Sequence, residues 1–169
     1  MTFFLLVYAS VVVQRMLELS LAKKNARYVR SLGGFEVGAD HYKYILLLHI
    51  SFFVSLLIEG WMRGGSPAPW WGITFAIFLV AQLFRYWCII TLGRRWNTRI
   101  YVLPGSPPVK RGPYRFLRHP NYWIVTTELF MLPLTFSAYA TAVVFTCCNL
   151  WLLLRIRIPA EERALRDHS

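Results

Sequence analysis

The chain has 169 residues, 56% hydrophobic and 16% charged, with a mean hydropathy of +0.42 and a net charge of +11. A soluble domain carries about a quarter charged residues, so a water-soluble globule is excluded, and the length allows one domain, 1–169. The basic excess flanks apolar blocks, which argues against nucleic acid as a partner, since no helix or sheet is left free to enter a groove.

The first apolar block, 2–21, has no basic leader and no small-residue cleavage site, and it runs into Gln14, Arg15 and Glu18. It reads as a retained first helix. The second block, 44–62, is followed by the breaker cluster RGGSPAP at 63–69. The third, 70–92, opens on Trp70 and Trp71, as expected at a membrane interface. A polar stretch, 93–118, then carries seven Lys/Arg and four prolines. The last apolar run, 121–154, would reach about 50 Å as one helix against a bilayer core of about 30 Å. Pro133 and the segment 135–138 are expected to break it into a hairpin whose first arm is short or tilted. The expected fold class is all-α: a polytopic membrane protein of about five transmembrane helices with a C-terminal helical hairpin. Basic residues crowd 23–43, 94–118 and 155–166, and the two opposite loops hold only Arg63. That asymmetry places the N-terminus outside and the C-terminus in the cytoplasm.

Ionisable groups inside a bilayer cost about 3 kcal/mol each, so they face partners or cavities. Arg15 and Glu18, three apart, are spaced to pair on one helix face. Gln82 and Arg85 share another face, where Arg85 either snorkels or serves a site. Glu128, two turns into the fourth helix, is either a structural partner for Arg85 or Arg15 or a site carboxylate acting as general base. His49 reads as a hydrogen-bonded packing residue, Glu59 as interfacial and Asn149 as helix–helix glue. Cys88, Cys147 and Cys148 lie in apolar blocks without zinc spacing and read as packing residues.

The segment 111–122, RGPYRFLRHPNY, holds the densest chemistry. Pro120 suits a first helical turn, having no N–H to waste there. His119 and Tyr122 are then held at a helix N-terminus, where free N–H groups meet anions. Gly112 and Pro113 force a turn. A second element, RIRIPAEERAL at 155–165, has Pro159 to kink or restart the chain and Glu161 and Glu162 in a first helical turn. Both elements fall on the same expected face, giving either a mixed-charge pocket or a basic, headgroup-facing surface with a capped tail helix.

Arg118, His119, Pro120 and Tyr122 at a helix entrance, a helical hairpin, and then Glu161, Glu162 and Leu165 resemble the isoprenylcysteine carboxyl methyltransferase family. The likeness extends to its short bacterial branch through WNTRI at 96–100, the turn at Pro104 and Gly105, Gly112 to Tyr114, Glu128, GADHY at 38–42 and His49. The resemblance implies S-adenosylmethionine entering from the cytosol and a lipid-like acceptor entering from the bilayer, in a multi-pass protein of a bacterial inner membrane. It implies a cofactor site lined by His119, Pro120 and Tyr122 beside Arg118, completed by Glu161 and Glu162, with Gly112 and Tyr114 added by position before the motif. Eukaryotic members continue past the paired glutamates with a Phe- and Tyr-rich segment. Here Ser169 is the last residue, so that side is expected to be open or built otherwise.

Methyl transfer from a sulfonium is an in-line displacement that needs nucleophile and methyl near contact distance and water excluded. A carboxylate acceptor needs mainly orientation, whereas a hydroxyl needs a base. Glu128, or one of Glu161 and Glu162, suits the base, and Arg85 suits a grip on an anionic acceptor. The buried Glu128 favours a hydroxylated lipid, of phenolic or polyketide type, over a prenylcysteine-type carboxylate. Two further readings use the same face: a nicotinamide-dependent membrane reductase of sterol-reductase type, and a non-catalytic membrane partner subunit that binds anionic lipid.

Overall fold

The computed structural model describes residues 1–107 and 109–168, the side chain of His168 excepted. In chain order these form α1 (Thr2–Ser31), β1 (Phe35–Val37), α2 (Ala39–Met62), α3 (Trp71–Leu92), β2 (Ile100–Val102), α4 (Pro120–Thr135), α5 (Tyr139–Leu152) and α6 (Ile158–His168). Among the described residues, four stretches are long and apolar enough to cross a membrane: Thr2–Ser31, Ala39–Met62, Trp71–Arg95 and Tyr139–Asp167. Helix α4 has 16 residues and is about 24 Å long. It nonetheless runs from the basic loop to the far end of the bundle, where its Thr135 carbonyl accepts the Ala68 N–H at 2.9 Å.

The expected hairpin is present. Helix α4 ends at Thr135, residues 136–138 turn with Ser137 at φ 58°, and α5 starts at Tyr139. Pro133 lies inside α4, just before the turn. Helix α5 continues through a π-helical turn, Leu153–Arg157, into α6. Pro159 therefore does not restart the chain. The wide turn before it absorbs the missing N–H and the ring's clash with the preceding carbonyls.

Strands β1 and β2 add one small sheet to the mostly helical fold that was expected. They pair antiparallel, Phe35 opposite Val102 and Val37 opposite Ile100. Two three-residue strands carry too little alternation to stand out in a sequence; they form because their flanks are pinned. Ile100, Val102 and Ala164 make a small core there with Val37 and Ala160. The three basic segments thus meet at one end of the bundle.

The larger core lies at the other end and includes Phe4, Phe52, Leu56, Phe78, Leu132 and Phe136. Gly60 lets α1 approach α2 there: a Cβ would stand 2.4 Å from Phe4 Cζ, the close crossing that small residues permit in membrane helices. Glu59 is more than interfacial. Its carboxylate accepts the Ala140 and Thr141 N–H groups at 3.2 and 2.8 Å, which neutralises the positive end of α5. Asn149 joins α5 to α4 as expected, donating to Thr126 Oγ1 at 3.0 Å. Cys88 is buried, but Cys147 and Cys148 are exposed on the outer face of α5 and do not pack.

Candidate active site

The loop that leads into α4 is anchored before it reaches the site. Asn25 of α1 donates to the Trp96 carbonyl at 2.7 Å, and Asn97 donates to the Ala22 carbonyl at 2.9 Å. Gly112 has φ +55°, and a Cβ there would stand 2.5 Å from Thr91 Oγ1. Glycine at this position lets the 3-10 turn Gly112–Arg115 lie directly on α3. His119 then caps α4, and Pro120 opens it. The His119 and Tyr122 rings stack at 5.4 Å.

Helix α6 closes over this entrance. The Tyr122 hydroxyl donates to Glu161 and accepts from Arg157 Nε at 3.1 Å. Arg157 also donates to the Thr98 carbonyl at 2.8 Å. His119 lies 3.6 Å from Glu161 Oε1 and 3.5 Å from Glu162 Oε1. The Glu161 carboxylate foremost, with Glu162 adding to it, holds the His119 imidazole above its ordinary value against the opposing effect of burial. Burial pushes the Tyr114 phenol far up, beside Cys88.

Below this entrance lies a cavity of about 500 Å³. Its mouth is lined by Trp96, Arg118, His119, Asn121, Tyr122 and Glu161. Two buried atoms around the mouth lack hydrogen-bond partners, Trp96 Nε1 and Asn121 Oδ1, and His119 Nε2 has Glu162 Oε1 at 3.5 Å. Unpartnered polar atoms on residues that line a hollow fit a polar ligand. Deeper in, the walls are Val12, Met16 and Leu19 from α1 and Ile45, Ile50 and Phe53 from α2. These two helices touch at the far end, where the Tyr8 hydroxyl donates to the Phe53 carbonyl at 3.2 Å. On the cavity side of that contact their apolar faces line the hollow.

The inner wall is a buried charge network. Arg85 donates to Glu128 through Nε at 2.8 Å and through a second guanidinium nitrogen, and to Glu18 at 3.3 Å. Arg15 pairs with Glu18 at 2.6 Å and lies 3.5 Å from Glu128. Gln82 donates to Glu128 at 2.7 Å and accepts from Gln14 at the same distance. Two guanidinium groups and two carboxylates balance, which is what an apolar surrounding requires.

The structure brings His119, Pro120, Tyr122, Arg118, Tyr114 and Glu161 to one end of the cavity and Arg85 to its inner wall. Glu162 lies 3.5 Å from His119 and does not line the cavity. Gly112 shapes the loop against α3. Glu128 is held by Arg85 and Gln82 and does not line the cavity. Sequence reasoning gives no site role to Arg157 or Trp96, and it reads Glu18 only as a partner for Arg15. Arg157 was readable only as one tail cation among four, because its inward turn comes from the π segment.

A family model described as "Isoprenylcysteine carboxyl methyltransferase (ICMT) family" matches residues 73–167. The "Uncharacterized protein YpbQ" of Bacillus subtilis (strain 168) is 42% identical over 166 residues, covering 98% of each chain. An "Uncharacterized protein" of Haemophilus influenzae is 28% identical over 168 residues, covering 98% of this chain and 96% of that one. No solved structure matches.

Proposed function

Since the chain belongs to the isoprenylcysteine carboxyl methyltransferase family, whose members are membrane methyltransferases, we propose that it transfers a methyl group from S-adenosylmethionine to a lipid-like acceptor. The observation that carries this reading is the single cavity with two unlike ends. The mouth offers a carboxylate, basic side chains and unpartnered polar atoms, which suit a nucleoside carrying an amino acid. The inner walls are apolar and lie between helices that face lipid, which suits an alkyl or prenyl chain.

His119, Tyr122, Glu161, Trp96 and Asn121 would hold the cofactor, which when bound supplies an activated methyl carbon. Arg157 fixes the Tyr122 hydroxyl, so the aromatic wall and the carboxylate keep one arrangement. Helix α6 covers the mouth and excludes water. Arg15 and Arg85 line the inner end and stabilise negative charge on an acceptor oxygen. The acceptor is a hydroxylated lipid of phenolic or polyketide type, or a prenylcysteine-type carboxylate.

The chain crosses a bacterial inner membrane five times, α4 being the short crossing, with the N-terminus outside and the basic end in the cytosol. The positions of Arg94, Arg95, Arg111 and Arg118 on that end support this orientation. Calorimetry in nanodiscs tests the function. Binding of S-adenosylhomocysteine without binding of NADPH is expected. Binding of NADPH alone would favour a reductase, and binding of neither would favour a partner subunit.

A further inference from the structure

The inner end of the cavity contains a base that the expected roles left aside. His49 Nδ1 lies 2.8 Å from the Ile45 carbonyl one turn earlier in α2. A carbonyl only accepts, so Nδ1 carries the hydrogen, and Nε2 of the neutral ring keeps a bare lone pair. His49 lines the cavity together with Arg15, Arg85 and Asn149. Glu128 does not, and its oxygens already accept from Arg85 and Gln82. Glu161 is likewise engaged, by Tyr122 at the mouth.

We propose that His49 is the general base for a hydroxyl acceptor. This deepens the methyltransferase reading and rests on it: a weakly acidic lipid hydroxyl needs a base in the pocket, and an ionised carboxylate does not. The hydroxyl proton passes to His49 Nε2 as an oxygen lone pair forms the O–CH3 bond. The electron pair of the breaking S–CH3 bond stays on sulfur, leaving a neutral thioether, and the imidazolium then returns its proton to water. The charged groups that act on the ring are Arg15 from α1, Arg85 from α3 and Glu128 from α4. The two guanidinium groups also stabilise the oxyanion as it forms.

His49→Asn keeps a donor for the Ile45 carbonyl but has no basic nitrogen, and His49→Gln removes the base with a different shape. Both are compared with wild type in nanodiscs on two long-chain alkylphenols, one ordinary and one made more acidic by ring fluorination. Affinity for S-adenosylhomocysteine is measured on the same samples. The variants are expected to bind S-adenosylhomocysteine like wild type, to lose about 100-fold in kcat on the ordinary phenol, and to lose far less on the acidic one. Nitrogen-15 spectra of histidine-labelled wild type are expected to show His49 doubly protonated when the acidic phenol binds without cofactor. Equal losses on both phenols, no loss, or an unprotonated His49 overturns the base role. So does loss of S-adenosylhomocysteine binding by both variants, which assigns His49 to packing, and so does a wild type that binds S-adenosylhomocysteine yet methylates neither phenol. A wild type that binds no S-adenosylhomocysteine overturns the methyltransferase reading instead.

Discussion

The Tyr122 hydroxyl donates to the Glu161 carboxylate and so ties the first turn of α4 to α6 across 39 residues of chain. A charge-assisted bond of this kind contributes about 1.5–3 kcal/mol. Tyr122→Phe is therefore expected to weaken S-adenosylhomocysteine binding about tenfold or more, with membrane insertion unchanged. Calorimetry checks it, and wild-type affinity would detach this tyrosine from the cofactor site.

Glu161→Gln and His119→Ala remove the two partners at the same mouth. Each is expected to raise the Kd for S-adenosylhomocysteine by about tenfold while leaving expression and insertion intact. If both variants bind like wild type, the cofactor lies elsewhere.

The docking of α6 should depend on pH. The His119 imidazole sits above its ordinary value of 6.5, chiefly because Glu161 faces it. Its contribution is complete below about 6.5 and is lost as pH rises through the raised value. Amide exchange of α6 is expected to speed up across that window. In Glu161→Gln the His119 titration, followed by NMR, should move to lower pH. A titration that stays in place would remove Glu161 as the cause.

Glu128→Gln leaves Arg85 and Arg15 with one carboxylate between them. Breaking a buried pair from one side costs about 3–5 kcal/mol, so thermal stability in detergent should fall sharply. Turnover should fall more than cofactor affinity, because the network sets the inner wall and not the mouth. Pairing Glu128→Gln with Arg85→Met is expected to recover part of the stability. A double variant as unstable as the sum of the two single variants would deny their coupling.

Gly112→Ala tests the loop's seat on α3. The residue has φ +55°, and its new Cβ would meet Thr91 Oγ1 at 2.5 Å. The left-handed conformation alone costs about 1–2 kcal/mol. The variant is expected to unfold at lower temperature and to bind cofactor less tightly through misplacement of His119. An unchanged Tm would mean that the loop shifts freely.

Much of the site could be read in one dimension. Pro120, His119 and Tyr122 occupy a helix entrance because proline and the preceding residue mark one locally. The hairpin at 136–138 follows from a run too long for one span. Arg15 and Glu18 pair as their spacing indicated. Glu128 was ambiguous for a physical reason: a buried carboxylate and a catalytic one look alike until the donors around it are known, and those donors come from α1 and α3. His49 is hydrogen-bonded as its sequence reading has it. The partner, the Ile45 carbonyl, and the residue's place on the cavity lining depend on the helix geometry and on where α1 and α2 separate.

Composition and hydropathy by themselves determined that this chain is a helical membrane protein, roughly which segments are apolar enough to span, and which segments gather positive charge. Those properties are local, since bilayer thickness and backbone hydrogen bonding act on each segment separately. Only the tertiary structure decided that β1 meets β2, that Arg157 turns inward through a π segment, and that the ion pairs consume Glu128 while leaving His49 facing the cavity. Which faces of separate helices meet is a matter of shape and charge summed over the whole bundle, and no single stretch of residues carries it.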